Sequence, residues 1–192
     1  MTWTRRQMLQ VGGTLAGGIL AGTPGIVSAV ARKASGPGAA AAAATAVTSK
    51  HILLRNLHTD EKVDLEFYRG DAYVPDALRA VQRVLRDLRN NEQHVTDPKL
   101  MDYLYDVAHT IGVQPVFSVI SGYRTPQTNA HGSGLASPSL HMQGRAIDVR
   151  LAGVDCAALA QHSLAMERGG VGYYRQSDFV HLDTGRFRTW KG

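Results

Sequence analysis

The sequence predicts an α+β fold in which helices pack on a small, mostly antiparallel sheet. Helical spacing dominates the early part of the folded region, and short apolar runs between turn residues dominate the later part. Helices followed by a run of strands are typical of α+β rather than α/β domains. The 192 residues are 44% hydrophobic, which is enough for one domain with a core and extra segments.

The predicted elements follow from local patterns. Two apolar-rich runs around a polar turn predict a hairpin, and apolar residues at positions such as Val81 and Leu85 repeat with helical spacing. Asp97 before Pro98 predicts the start of a second helix that ends at Gly112. The predictions are strands at 51–57, 63–68, 116–120, 144–151, 171–174 and 179–182, helices at 76–89, 98–111 and 154–167 (the last ended by Gly169 and Gly170), and a long polar loop at 121–138.

Residues 1–31 predict an export signal. Arg5 and Arg6 precede a Gly/Ala-rich apolar stretch with a small-residue end, and paired arginines there resemble a twin-arginine signal. Cleavage is expected after Ala29 or Ala31.

A transmembrane anchor is the alternative interpretation of this stretch. Glycines, a threonine and Pro24 interrupt the apolar run, so we expect no stable membrane span once the chain is processed. Residues 32–49 are rich in alanine and glycine and predict a linker, which leaves 50–192 as the functional domain.

Charge and cysteine usage restrict the function. The formal net charge of +5 falls to about +3 (5 − 2) if Arg5 and Arg6 leave with the signal, which suits work near an anionic envelope polymer. The sequence has no dense basic run and no interleaved basic and aromatic patch, so no nucleic-acid partner is expected. Cys156 is the single cysteine, which excludes a Cys-rich metal site, and its apolar neighbours predict a buried structural thiol.

Three residues are candidates for a metal site. His141 and Asp148 are joined by a segment in which Gly144 permits a bend, and His181 lies in a later strand-like run. On its own the first pair is explained equally well by a His–Asp hydrogen bond, and a lone histidine in a strand is more often a core residue. Two imidazoles, one carboxylate and an open position for water together make a recurrent catalytic zinc set.

A further segment, Ser121 to Arg124, follows a predicted strand. Gly122 would allow a sharp turn that points Arg124 at the metal site, where a guanidinium can stabilise the oxyanion formed during attack on a carbonyl. Taken alone, this arginine would be interpreted as a surface residue of a loop.

These motifs resemble the M15-type zinc peptidases of peptidoglycan, and within them the branch of twin-arginine-exported murein endopeptidases. The resemblance covers the signal and nearly all of residues 50–190. It implies a single zinc ion per chain, peptidoglycan stem peptides as the partner and a periplasmic or cell-envelope location. It implies that the metal is held by His141, Asp148 and His181, with Arg124 contacting the substrate or the transition state.

The resemblance leaves the general base open between two acids. Asp178 stands three positions before the last ligand, where many M15 enzymes carry an acid, and Asp183 is the second candidate. One of them could take the proton while the other orients a ligand imidazole. The expected substrate contacts are Ser121, Tyr123, Gln143 and Tyr174.

The favoured function is a zinc-dependent endopeptidase that cuts cross-links between stem peptides. A zinc carboxypeptidase that trims a terminal D-amino acid uses the same chemistry and stays open, as does a non-catalytic wall-binding module. A serine or cysteine hydrolase is not expected, because Cys156 is badly placed and the Ser121 segment lacks a nucleophile elbow.

Overall fold

The computed structural model describes residues 48–133 and 139–192, all within the compact unit Ala44–Gly192. The predicted export signal and most of the linker lie outside the described residues. The strands are β1 (Ser49–Asn56), β2 (Lys62–Arg69), β3 (Ala72–Tyr73), β4 (Val116–Ser121), β5 (Ala146–Leu151), β6 (Gly170–Tyr174), β7 (Phe179–Asp183) and β8 (Arg188–Lys191). The helices are α1 (Pro75–Val84), α2 (Pro98–Ile111), α3 (Pro126–Ser133) and α4 (Cys156–Ala165), with a 3₁₀ turn at Leu140–Gln143.

The described strands form one sheet in the order β3-β2-β1-β4-β5-β7-β6-β8. The pairs β1–β4 and β6–β8 are parallel, and the other pairs are antiparallel. The predicted α+β class with a mostly antiparallel sheet is therefore confirmed. The expectation of a small sheet was wrong, because β3 and β8 extend both edges with runs too short to stand out in the sequence.

Strand alternation gives the sheet one apolar face and one polar face. In β5, Ile147 and Val149 belong to the core that the helices cover, so Asp148 between them points to the opposite face. In β7, Val180 and Leu182 belong to the same core. The functional residues of both strands consequently lie on the face away from the helices.

Several predicted elements are confirmed. The hairpin β1–β2 is present, and α2 begins where Asp97 accepts a hydrogen bond from the Lys99 amide at 3.0 Å. The same helix ends at Gly112, whose φ of 86° is left-handed. Cys156 is buried, and burial, with a hydrogen bond to Asp178, raises its pKa to about 11.

Within the described ranges, no helix is long and apolar enough to cross a bilayer.

Other predictions needed correction. The first helix ends at Val84 rather than residue 89, because the chain turns back so that the Asp87 amide donates to the Glu92 carbonyl at 2.8 Å. The segment 121–138 is not wholly a loop, since α3 starts at Pro126, a residue suited to a first helical turn. The last helix ends at Ala165, well before Gly169 and Gly170, so these glycines do not stop it.

The core prediction concerns Leu104 of α2. Its side chain is fully buried, so we expect Leu104→Ala to lower the free energy of unfolding by about 2–5 kcal/mol. Urea unfolding followed by circular dichroism measures this change. Leu57→Ala is the matched control, because Leu57 is 41% exposed and its loss should cost less than about 0.5 kcal/mol. Equal losses for the two variants would contradict this description of the core.

Candidate metal centre

Strand register brings the predicted ligands together. Asp148 in β5 lies directly opposite His181 in β7, and the 3₁₀ turn before β5 presents His141 to the same point. His181 Nδ1 lies 2.9 Å from Asp148 Oδ1 and 3.1 Å from His141 Nε2. The third separation, from His141 Nε2 to Asp148 Oδ1, is 3.3 Å. These residues form the one group among the described residues that could hold a metal ion.

The hydrogen bonds around the two imidazoles fix which nitrogens face inward as acceptors. His141 Nδ1 lies 2.6 Å from the Gly122 carbonyl, and His181 Nε2 lies 3.0 Å from Asp183 Oδ2. Both partners only accept, so these outer nitrogens carry protons, and in the neutral imidazoles the inner nitrogens carry lone pairs. Metal-binding histidines usually have their outer nitrogen held in this way.

The spacing of the inner atoms suits a tetrahedral ion. Zinc binds histidine nitrogen and carboxylate oxygen at about 2.0–2.2 Å, so the edges of a tetrahedron around it are about 3.3–3.6 Å. The inner atoms of His141, Asp148 and His181 are 2.9–3.3 Å apart, so a small outward movement of these side chains would accommodate the ion. The residues present therefore fit a metal ion with three protein ligands and one open position.

Burial and neighbouring charges shift the pKa values of the three residues in this cluster. Burial alone would raise the pKa of Asp148, but the neighbouring imidazoles of His141 and His181 outweigh it and hold that pKa well below its usual range. Burial lowers the pKa of His141. Burial also opposes protonation of His181, yet its hydrogen bonds with Asp148 and Asp183 raise its pKa. The site thus keeps an ionised carboxylate beside imidazoles and favours a cation at its centre.

Asp183 is bound on every side by donors. Its carboxylate accepts from the amides of Gly170 at 3.0 Å and Gly185 at 2.8 Å, and from the guanidinium of Arg188 at 2.7 and 3.0 Å. Burial alone would raise the pKa of Asp183, but its hydrogen bonds from His181 and Arg188 keep that pKa low. The side chain is fully buried, so Asp183 is placed to orient His181.

Gly169, just before β6, and Gly170, its first residue, make room for Asp183. A Cβ at Gly170 would lie 2.3 Å from Asp183 Oδ2, and one at Gly169 would lie 1.7 Å from the Asp183 carbonyl oxygen. Neither position accepts a side chain without moving the support of His181.

Trp190 in β8 lies beside His181 and was not predicted from the sequence to be near the site. Its ring centroid is 5.1 Å from that of His181, its indole nitrogen donates to the Tyr174 hydroxyl at 3.0 Å, and Arg188 lies over its ring. A Cβ at Gly172 would lie 2.5 Å from the indole, so this glycine lets the ring cross β6. Gly170 and Gly172 indicate in the sequence that other groups approach this strand closely, but not which residues those are.

Arg124 contacts the carboxylate of the cluster. Its Nε donates to Ser121 Oγ at 2.8 Å, and its Nη2 donates to Asp148 Oδ2, the oxygen turned away from the histidines. The bend that aims it passes Gly122, where a Cβ would lie 2.5 Å from the Leu85 carbonyl oxygen. The structure places the arginine beside the carboxylate ligand at the wall of the cleft.

The remaining predicted site residues divide into two groups. Ser121, Tyr123 and Tyr174 line the cleft above the cluster. Gln143 does not line it, because its side chain accepts from Arg145 at 3.4 Å. The structure does not bring Asp178 to the cluster either: its exposed carboxylate pairs with Arg150 at 3.1 Å in the turn before β7.

A cleft of about 930 Å³ crosses the polar face of the sheet above the cluster. One end is formed by residues that follow β1 and α1, among them His58 and Arg89. The other end is formed by aromatic residues of the last strands, Tyr174, Phe179 and Trp190. The candidate metal ligands lie on β5, on β7 and just before β5, so the cleft continues past them on both sides.

Buried imidazoles and a carboxylate below an open cleft define a site of the metal-dependent hydrolase class. The peptidase M15 family described as peptidoglycan L,D-endopeptidase MepK matches residues 44–190, and the chain belongs to this family. The predicted resemblance to M15-type peptidases is thereby confirmed.

Curated relatives agree with this assignment. The chain is 34% identical over 190 residues to the peptidoglycan L,D-endopeptidase MepK of Escherichia coli strain K12, covering 97% of this chain and 96% of the relative. It is 38% identical over 146 residues to the probable peptidoglycan L,D-endopeptidase MepK of Haemophilus influenzae, covering 73% of this chain and 78% of the relative. No solved structure matches the chain.

The role of Asp183 can be separated from that of Asp178 by metal affinity. We expect Asp183→Asn to weaken zinc binding by about 10- to 100-fold, because His181 loses the charge that orients it. Asp178→Asn is the matched control and should leave the affinity unchanged. Competition with a chromophoric chelator measures both, and thermal unfolding of the metal-free proteins checks their folding. Equal affinities for the two variants would contradict an orienting role for Asp183.

Proposed function

We propose that the chain is a zinc-dependent peptidoglycan L,D-endopeptidase that cuts cross-links between stem peptides. Its relatives carry that name, and the family membership supplies the substrate class. The observation that carries the proposal is the cleft, which extends from the candidate metal ligands towards both edges of the sheet.

The cleft favours an endopeptidase over a carboxypeptidase. An enzyme that cuts a cross-link must hold peptide on both sides of the cut bond, whereas one that removes a single terminal residue needs room on one side only. Here lining residues extend from His58 beyond β1 to Trp190 in β8, with the ligands between them. This arrangement accommodates two stem peptides that meet at the metal site.

Zinc is the proposed ion, a single ion per chain held by His141, Asp148 and His181. The donor set supports it, since two imidazole nitrogens and one carboxylate oxygen with tetrahedral spacing are typical of catalytic zinc. When bound, zinc polarises a peptide carbonyl and makes water a stronger acid.

Arg124 is proposed to stabilise the charge that develops on the carbonyl oxygen. Its side chain is 28% exposed at the cleft, and Ser121 and Asp148 hold its Nε and Nη2. Its Nη1 has no partner in the described part of the chain, so a donor remains available to the substrate. The hydroxyl and ring groups of Ser121, Tyr123 and Tyr174 are proposed substrate contacts along the same wall.

The proposed general base is Asp178, with Asp183 as the orienting acid. Asp178 precedes the last ligand by three residues, where many M15 enzymes carry an acid. In the structure its side chain pairs with Arg150 outside the cleft, so acting as the base requires this ion pair to open. Asp183 is unsuited to accept a proton from water because its oxygens are already bound by donors. If Asp178 is the base, Asp178→Asn lowers kcat by about 100-fold or more without changing zinc affinity; an unchanged kcat removes it from the mechanism.

The proposed location is the periplasm or cell envelope. Peptidoglycan lies outside the cytoplasm, and the paired Arg5 and Arg6 support export by a twin-arginine-type signal over residues 1–31. Residues 32–49 are the proposed linker and 50–192 the proposed peptidase domain.

Cross-linked muropeptides test the function. The purified chain is incubated with dimers joined by L,D bonds, with and without a chelator, and the products are identified by mass spectrometry. We expect conversion of dimers to monomers that stops with chelator and returns when zinc is added. His141→Ala is the matched inactive variant, because it removes a metal ligand.

Other outcomes would point elsewhere. Loss of only one terminal residue from each stem would identify a carboxypeptidase. No turnover by a chain shown to contain zinc would contradict the enzyme proposal and favour a wall-binding role.

A further inference from the structure

One end of the cleft is formed by His58, Arg86, Leu88 and Arg89, and we call it the arginine end. It lies where β1 and α1 finish, on the opposite side of the metal ligands from the aromatic residues of the last strands. Its charged groups decide which kind of substrate group it can bind.

The carboxylates that line the cleft already interact with other groups of the chain. Asp87 is buried and accepts from the Thr125 amide at 2.8 Å, the Thr125 hydroxyl at 2.7 Å and the Arg89 amide at 3.0 Å. Asp148, the other acid in the lining, belongs to the metal site. Neither carboxylate is available to neutralise a cation at the arginine end.

Most of the arginines that line the cleft also have hydrogen-bond or ion-pair partners within the chain. Arg86 binds Glu61 at 2.6 Å and Asn91 at 2.5 Å, and Arg188 binds Asp183. Arg124 binds Ser121 and Asp148 through two of its nitrogens. Arg89 is exposed, and its guanidinium has no partner among residues 48–133 and 139–192. It is therefore a positive charge that faces the cleft without a counter-ion in the described chain.

The backbone that carries Arg89 is held in place. Its amide donates to Asp87, and the Asn90 side chain next to it donates to Thr125 Oγ1 at 3.3 Å. Asp87 in turn bonds the residue that follows Arg124, so the arginine end is tied to the wall of the metal site. A fixed backbone lowers the entropic cost of using a long side chain to bind a ligand.

We propose that Arg89 binds a free carboxylate of the stem peptide beside the cut bond; this inference rests on the proposed function. Where a stem residue carries its second amine and a second carboxylate on the same carbon, a cross-link through that amine leaves the carboxylate free beside the cut bond. A guanidinium binds a carboxylate through two parallel hydrogen bonds, which no other side chain reproduces. Arg89 is thus a residue that selects anionic cross-linked peptides over amidated ones.

Steady-state kinetics on matched substrates test the assignment. The full chain and its Arg89→Ala and Arg89→Lys variants are assayed on a free-carboxylate dimer and on two dimers, each amidated on one of the two residues that the cut bond joins. We expect Arg89→Ala to raise KM for the free dimer about 5- to 30-fold with kcat changed less than about twofold. Arg89→Lys should restore part of the loss, and Arg79→Ala, on an exposed arginine outside the cleft, should have no effect.

The substrate comparison separates the possible results. One of the amidated dimers should raise the wild-type KM by a similar factor, and Arg89→Ala should add little to it, as expected for two changes to one interaction. An Arg89→Ala effect of equal size on all dimers, or none on any, would overturn carboxylate recognition while wild-type turnover still supports the proposed function. A zinc-loaded wild type that cuts no dimer overturns the proposed function itself.

Discussion

The antiparallel pairing of β5 with β7 is the constraint on which the site depends. It sets Asp148 opposite His181, while the 3₁₀ turn adds His141, so three lone-pair donors meet within 3.3 Å in a buried position. Such atoms repel one another unless a proton or a metal cation lies between them. Since the outer nitrogens of both imidazoles are held by fixed acceptors, the rings cannot turn away to relieve that repulsion.

The last strand of the chain stabilises this arrangement from outside. Arg188 binds the carboxylate that orients His181, and Trp190 lies against the His181 ring. Gly170 and Gly172 in β6 let Arg188 and Trp190 approach closely, because a side chain at either position would occupy the same space. A short edge strand that adds little to the core therefore determines the orientation of a candidate metal ligand.

The fold class, the central elements and the residues of the candidate metal site could be predicted because each has a local signal. Asp97 and Gly112 mark the ends of α2, and Asp148 is a carboxylate in an apolar strand that needs a partner. The contributions of Trp190 and Arg188 could not be predicted, because they depend on which strand pairs with β6. The position of Asp178 also depends on a tertiary contact, its ion pair with Arg150.

X-ray absorption spectroscopy at the zinc edge tests most directly whether His141, Asp148 and His181 bind zinc, when the purified chain is compared with the His141→Ala variant. We expect a first shell of nitrogen and oxygen at about 2.0–2.2 Å with the scattering of two imidazoles, falling to one in the variant. A spectrum with fewer than two imidazoles in the wild type, or one unchanged by the substitution, would contradict it.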